Sequence, residues 1–187
     1  MNPLFVAAAE VQDLCRDRDW GFCFIGGLAV LRWGEPRLTR DIDLTVLAGS
    51  GAEEAVVDGL FDRFEARIDD ARPFALRNRV ALLRAANGVP VDVALGALDF
   101  EQRAVQRASL WDVKEAQLLT CSAEDLIVYK AFAGRDRDWL DVEGIVIRQG
   151  EALDSDLVRT ELAPLAELKG NSDTMDRLQA LFASIVP

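Results

Sequence analysis

The side chains best suited to chemistry are two aspartates one residue apart, Asp41 and Asp43, in the segment Asp-Ile-Asp-Leu-Thr-Val. Alternate side chains of a β-strand point to the same face, so both carboxylates project from one face while Ile42 and Leu44 project from the other. Two carboxylates on one face repel each other and lose hydration when buried. Mg²⁺ compensates such charge, and it commonly binds one or two carboxylates together with substrate phosphates. The segment therefore predicts half of a site for metal-assisted phosphate chemistry.

Two further features can complete such a site. Gly26 and Gly27 follow an apolar strand, where backbone N–H groups near a helix N-terminus can approach a phosphate, although a Gly-Gly turn alone is common. Asp92 stands among apolar residues in the second strand of a hairpin that an Asn-Gly turn predicts. Taken singly, Asp92 also fits a charge that protects an edge strand from aggregation. Three strand acids beside a glycine turn favour a two-metal phosphoryl-transfer site, in which the third acid orients or deprotonates the attacking hydroxyl.

The composition narrows the chemistry. The 187 residues include no histidine, which excludes Ser-His-Asp catalysis, histidine bases and histidine-containing zinc sites. The three cysteines, Cys15, Cys23 and Cys121, are widely spaced among apolar residues, which predicts reduced core cysteines rather than disulfides or a zinc site. The N-terminal segment lacks a basic signal-peptide region and no apolar run is long enough to span a bilayer. We therefore expect a cytoplasmic protein with no membrane partner.

The net charge of −11 argues against a protein that coats nucleic acid with a basic surface. Residues 63–107 are an exception, with eight arginines and six acids. A local basic surface there is one interpretation, and surface ion pairing is the commoner one. An RNA acceptor would have to use the arginines between Arg63 and Arg107.

The order of the predicted elements indicates the architecture. Up to residue 121 the patterns predict helices over 2–18, 28–33, 53–64 and 99–108, strands over 20–25 and 41–47, a hairpin over 80–95, and extended segments over 111–119. After Ser122, a capping residue, the patterns predict four helices, ending near residues 134, 148, 168 and 185. The chain is therefore expected to have an α+β fold, with a core domain over 1–121 and a helical lobe over 122–187.

The motif order resembles a known superfamily. The sequence GG, then TRDIDL, then VDVAL resembles the nucleotidyltransferases typified by DNA polymerase β, whose signature is a Gly-Gly or Gly-Ser turn, an Asp-x-Asp strand and a third strand acid. More narrowly, the segment DLIVYKAFAGRDRDWLDV, from Asp125 to Val142, is similar to the arginine-rich helical motif of bacterial AbiEii-type nucleotidyltransferases, several of which are toxins of toxin–antitoxin pairs. The resemblance implies a polymerase β-like core, a mixed sheet with helices on one side, followed by a helical lobe packed on it. Members with Gly-Ser add a hydroxyl contact to phosphate, whereas Gly27 leaves only backbone amides.

The resemblance also implies site roles. Asp41 and Asp43 would ligate two Mg²⁺ or Mn²⁺ ions, and Asp92 would ligate the catalytic ion and help activate the acceptor. Lys130 would contact the triphosphate as part of the catalytic set. Gly26 and Gly27 would hold the nucleotide phosphates with Lys130, and the arginine pair Arg135 and Arg137 lies in the matched helical motif. Arg40, which immediately precedes Asp41, is a further candidate for nucleotide binding from its position alone. Asp138 and Asp141 match acids of the helical motif whose roles the resemblance leaves open.

The residues alone leave alternatives for the cations. The Lys130 ammonium either projects toward the site and offsets phosphate charge, or is solvated above a buried stem. Arg135 and Arg137 either bind phosphates or pair in a surface network with Asp136, Asp138 and Asp141. Arg40 either contacts a phosphate or neutralises the acid cluster.

The sequence as a whole predicts a Mg²⁺-dependent nucleotidyltransferase that moves a nucleoside monophosphate from an NTP to an acceptor hydroxyl. On the AbiEii-like interpretation it is the toxin of a toxin–antitoxin pair, acts on tRNA or a protein, and has a cognate antitoxin. One alternative is an antibiotic nucleotidyltransferase with a small-molecule acceptor, an aminoglycoside or a lincosamide. A further alternative is a catalytically silent nucleotide-binding module on the same fold.

Overall fold

The strands form one mixed sheet. The protein is described from a computed structural model, which describes residues 2–49, 51–114, 116–170 and 173–185. Within these residues the strands are β1 (Phe22–Ile25), β2 (Ile42–Leu47), β3 (Glu65–Ala66), β4 (Val80–Arg84), β5 (Pro90–Gly96), β6 (Ser109–Asp112) and β7 (Gln117–Thr120). Their order in the sheet is β3-β4-β5-β2-β1-β7-β6, which includes both parallel and antiparallel neighbours.

Several of the helices begin or end at residues with clear capping roles. In the described residues they are α1 (Pro3–Asp17), α2 (Gly26–Trp33), α3 (Glu53–Phe61), α4 (Ala71–Asn78), α5 (Asp99–Arg107), α6 (Ala123–Ala133), α7 (Asp136–Gln149), α8 (Ser155–Lys169) and α9 (Asp173–Ile185), with a 3₁₀ turn at Gly150–Ala152. Asn2 caps α1 by accepting from the Leu4 N–H, and Ser122 caps α6 by accepting from the Asp125 N–H. Gly134 ends α6 in the left-handed conformation.

The centre of the sheet carries the acids. β2 pairs antiparallel with β1 and parallel with β5, and β5 pairs antiparallel with β4. Apolar residues alternate on the buried face of β2 and β5, as in Ile42, Leu44, Val91 and Val93. Since β5 lies between β4 and β2, Asp92 is on a central strand, and its explanation as an edge-strand charge is wrong.

The mixed sheet and the later run of helices confirm the predicted α+β fold class, while several boundaries differ. Gly26 and Gly27 are the first two residues of α2 rather than a turn before it, and Asp41 immediately precedes β2. α4 and the two-residue strand β3 were not predicted. α4 has only one buried residue and no side-chain cap, so its sequence carries little helical periodicity.

The chain divides into two compact units. Unit 1 contains residues 1–28 and 38–121, and unit 2 contains residues 29–37 and 122–187. In unit 2, the segment before residue 37 is bound to α7: the Arg148 guanidinium donates to the Gly34 carbonyl at 2.6 Å and the Gln149 amide donates to the Trp33 carbonyl at 2.7 Å. Unit 2 is therefore built from two stretches of sequence.

All three cysteines are buried, as predicted for core cysteines. Burial raises the pKa of the Cys15 thiol to about 12, so this thiol is protonated at neutral pH. Among the described residues, we find no helix with the length and apolar character needed to cross a bilayer.

Candidate active site

Strand register brings the three predicted carboxylates together in unit 1. Asp43 on β2 is the direct parallel partner of Asp92 on β5, and neighbouring strands lie roughly 4.8 Å apart. Asp41 precedes Asp43 by two residues, so the side chains of both acids lie on the same face of the sheet. Asp41 is exposed, and Asp43 and Asp92 are half-buried. The negative charge of Asp41 is close enough to Asp92 to raise the pKa of the Asp92 carboxyl.

The glycine pair packs directly against this cluster. A Cβ atom on Gly26 would lie 2.0 Å from Asp43 Oδ2, and the φ of Gly26 is +59°, which favours glycine. The Gly27 N–H, in the first turn of α2, donates to Asp43 Oδ2 at 3.4 Å. The positive end of the helix thus faces a carboxylate. The predicted contact of these amides with a nucleotide phosphate stays a prediction.

Thr39 joins Asp41 to the glycine pair. The Thr39 hydroxyl donates to Asp41 Oδ1 at 2.9 Å. The oxygen of the Thr39 hydroxyl lies 2.3 Å from the position that a Cβ atom on Gly27 would occupy. The two glycines are therefore required because Asp43 and Thr39 occupy the space of their side chains.

Arg67 is the cation of this cluster. Its Nη2 donates to Asp92 Oδ1, and its backbone N–H donates to the Leu82 carbonyl at 3.0 Å. Burial raises the pKa of the Asp92 carboxyl, Arg67 lowers it and the charge of Asp41 raises it, which leaves the pKa above its usual value. Arg67 thus offsets only part of the cost of holding an ionised Asp92 in this position.

The donor chemistry of the cluster fits Mg²⁺, since three carboxylates supply the oxygen ligands that this cation prefers. In the described part of the chain, however, no three acidic or cysteine side chains are gathered into a group able to hold a metal ion as placed. Each carboxylate instead accepts from a donor of the protein: Asp41 from Thr39, Asp43 from Gly27 and Asp92 from Arg67.

Unit 2 holds a buried network of ion pairs. The Lys130 ammonium lies 2.9 Å from both Asp138 Oδ1 and Asp141 Oδ2. Arg37 binds Asp141 with two hydrogen bonds, of 2.7 and 2.8 Å. Burial alone would raise the pKa of Asp141, but hydrogen bonds from Arg37 and Lys130 hold it below its usual value. The Lys130 side chain is 11% exposed, so the interpretation of Lys130 as a solvated lysine is wrong.

In the described part of the chain, the predicted surface network of Arg135 and Arg137 is reduced to one long contact between Arg135 and Asp138. Asp138 and Asp141 are buried, and their close partners are Lys130 and Arg37. Arg135 is 83% exposed and its Nε lies 4.0 Å from Asp138 Oδ2. Arg137 is exposed and makes no ion pair with any residue that the structure describes, and the same holds for Arg40. Their proposed contacts with phosphate remain predictions.

Ion pairs account for much of the arginine-rich span in unit 1. Four of its arginines pair with acids: Arg63 with Glu10, Arg67 with Asp92, Arg72 with Glu54 and Asp58, and Arg79 with Glu53. Ion pairing thus accounts for at least half of the eight arginines and reduces the basic area left for an RNA.

The comparisons with known proteins decide the family. The family model described as "Nucleotidyl transferase AbiEii toxin, Type IV TA system" matches residues 15–181. The chain belongs to this family. Membership confirms the resemblance of the motifs and makes the chain a nucleotidyltransferase, which implies an NTP and an acceptor as substrates and, in this family, a type IV antitoxin. The comparison with curated proteins gave no significant match.

Solved structures share the fold of this AbiEii-family chain. An antigenic nucleotidyltransferase-like protein from Paracoccidioides brasiliensis is similar with a TM-score of 0.50 and 18% identity, over 94% of this chain and 91% of that one. The antibiotic-resistance factor ANT(2'')-Ia is similar with a TM-score of 0.51 and 18% identity, over 88% of this chain and 92% of that one. These similarities confirm the nucleotidyltransferase fold.

Sequence reasoning did not predict the parts played by Thr39, Arg37 and Arg67. Thr39 and Arg37 lie within four residues of Asp41, but this position in the sequence does not indicate that Thr39 binds Asp41 or that Arg37 binds Asp141. Arg67 and Asp92 are 25 residues apart, and nothing in the alternation of either segment indicates that they pair.

Proposed function

We propose that this protein transfers a nucleoside monophosphate from an NTP to an acceptor hydroxyl in a Mg²⁺-dependent reaction, as the toxin of a toxin–antitoxin pair. The observation that carries the proposal is the direct pairing of Asp43 with Asp92, with Asp41 two residues earlier and the N-terminus of α2 against Asp43. Family membership supports it independently of this geometry.

The carboxylates have distinct proposed roles. Asp41, Asp43 and Asp92 would hold two Mg²⁺ or Mn²⁺ ions, which neutralise charge on the reacting phosphates. Asp92 accepts the proton of the acceptor hydroxyl on Oδ2, because Arg67 binds Oδ1. The acceptor oxygen then forms a bond to the α-phosphorus, the bond from that phosphorus to the bridging oxygen breaks, and pyrophosphate leaves.

The cations are proposed to bind the nucleotide. Lys130 contacts the triphosphate and retains its two acid partners as a fixed support. Arg40, Arg135 and Arg137 are exposed long cations able to reach phosphates from solvent.

The acceptor is proposed to be tRNA or a protein, and the site of action the cytoplasm, where NTPs and both acceptors occur. The family description supports the toxin role and a cognate antitoxin. The paired arginines of unit 1 favour a small contact area with any RNA.

The test is label transfer. Purified protein is incubated with Mg²⁺ and each α-labelled NTP, in parallel with tRNA, cell protein, an aminoglycoside and a lincosamide. Label should enter tRNA or protein with the wild type and with Asp62→Ala, which removes an exposed carboxylate elsewhere in unit 1, and not with Asp41→Ala.

The other outcomes select the alternatives. Label on a drug, with resistance and without growth inhibition, would replace the toxin role by antibiotic modification. NTP binding without any transfer would indicate a silent module. Growth inhibition that Asp41→Ala abolishes, and that a neighbouring gene relieves, would support the toxin.

A further inference from the structure

The Thr39 hydroxyl occupies the place of a side chain that the glycine pair lacks. A Cβ atom on Gly27 would lie 2.3 Å from Thr39 Oγ1 and 2.8 Å from Thr39 Cβ. No serine fits at position 27 while Thr39 stays in place. A hydroxyl is nevertheless present at that spot, supplied by a residue 12 positions later in the chain.

The position of the Thr39 hydroxyl allows it to donate a hydrogen bond to an anion. It lies beside Gly27, in the first turn of α2, where the helix presents its positive end and N–H groups that have no partner within the helix. It now donates to Asp41 Oδ1 at 2.9 Å. A threonine hydroxyl has one rotatable proton, so a movement of the Asp41 carboxylate toward another partner makes that proton available to a second anion.

We infer that Thr39 donates a hydrogen bond to a phosphate of the nucleotide, from the place where a Gly-Ser turn would put its own hydroxyl. The inference rests on the proposed function, because it requires an NTP at the N-terminus of α2. It assigns Thr39 to nucleotide binding, with the triphosphate as its ligand.

The first test replaces only the hydroxyl. The dissociation constants of a non-hydrolysable NTP with Mg²⁺, and of Mn²⁺ alone, are measured by calorimetry for Thr39→Val, Thr39→Ser and the control Thr45→Val. Thr45 is fully buried on β2, and its hydroxyl has no hydrogen-bond partner in the described part of the chain. Thr39→Val should weaken nucleotide binding about tenfold, the loss of one hydrogen bond to a charged group, while Thr39→Ser and Thr45→Val bind as the wild type does.

The Mn²⁺ measurement separates phosphate binding from support of Asp41. Affinity for Mn²⁺ alone should be the same in Thr39→Val and the wild type. Equal weakening of Mn²⁺ and nucleotide would show that Thr39 acts through Asp41, and would overturn the inference. Unchanged nucleotide binding in Thr39→Val would overturn it as well.

The second test moves the hydroxyl. Gly27→Ser alone should bind the nucleotide poorly, because its Cβ meets Thr39. In a Thr39→Gly background, which removes that obstacle, adding Gly27→Ser should recover most of the affinity that Thr39→Gly loses. No recovery would contradict the inference.

The two proposals fail in different ways. A wild-type protein that neither binds an NTP nor transfers label overturns the proposed function and the inference with it. A wild type that transfers label while Thr39→Val binds the nucleotide normally overturns the inference alone.

Discussion

Replacement of Lys130 by methionine tests whether the ion network of unit 2 is structural. The change keeps the length of the side chain and removes the ammonium. Among the described residues, Asp141 retains Arg37, whereas Asp138 retains only Arg135, whose Nε lies 4.0 Å away on an exposed side chain. The variant thus leaves one buried carboxylate, 8% exposed, without a close cation.

The cost follows from that single unpaired charge. Removal of one partner of a buried ion pair destabilises a protein by about 3–5 kcal/mol, and we expect the lower end because Asp141 keeps its second partner. For a chain of this length each kcal/mol lowers Tm by about 2–4 °C, so a loss of about 3 kcal/mol corresponds to a decrease of roughly 6–12 °C.

Urea denaturation at neutral pH, followed by circular dichroism, measures the effect. Lys114→Met, which removes an exposed ammonium, should change the free energy of unfolding by less than about 0.5 kcal/mol. Asp138→Asn should lower stability in the wild type but raise it in the Lys130→Met background, because there it removes the unpaired charge.

A Lys130→Met variant within about 0.5 kcal/mol of the wild type, or an Asp138→Asn effect of the same sign in both backgrounds, would refute the structural reasoning. Label transfer, assayed well below the Tm of the variant, then reports separately on the proposed contact of Lys130 with the triphosphate.

Two further predictions concern unit 1. Gly26→Ala should lower stability by about 1–2 kcal/mol from the left-handed φ alone, and should abolish transfer because its Cβ displaces Asp43. The matched control is Gly49→Ala, because Gly49 has a φ of +58° and its Cβ would meet nothing within 4 Å. The control should lose the same stability and retain transfer. Equal transfer by the two variants would contradict the Asp43 contact. Asp92→Asn should abolish transfer yet stabilise the protein at neutral pH. The pKa of Asp92 is raised in the folded protein, so the contribution of Asp92 to stability is full below the unfolded pKa of about 3.9 and is lost as pH rises through the folded pKa. The stability of Asp92→Asn relative to the wild type, measured by urea denaturation, should therefore increase over that pH range. A variant less stable than the wild type at neutral pH would contradict it.

Local patterns predicted the elements that carry the acids. The alternation around Asp43 and Asp92 identified two strands and the face that each acid occupies, and Ser122 identified the start of α6. The predicted class of chemistry followed from these patterns and from the absence of histidine.

The contacts that define the site depend on pairing over long distances in sequence. Arg37 and Asp141 are 104 residues apart, and no periodicity relates them. The purpose of the glycine pair was predicted only in part: open space for a phosphate was expected, whereas the structure shows that Asp43 and Thr39 occupy the space of the missing side chains. Such facts are set by packing, which sequence spacing does not encode.

The composition of unit 2 has a consequence for dissection of the protein. The chain passes between the two units after residues 28, 37 and 121, so cutting it after residue 121 would not separate them. A fragment of residues 1–121 would keep the segment 29–37 without α7, whose Ile145 and Gly144 lie against Gly34 and Glu35. A fragment of residues 122–187 would lack Arg37 for Asp141. Neither half can be expressed as a complete module, so a deletion that silences the protein cannot by itself assign its activity to one half.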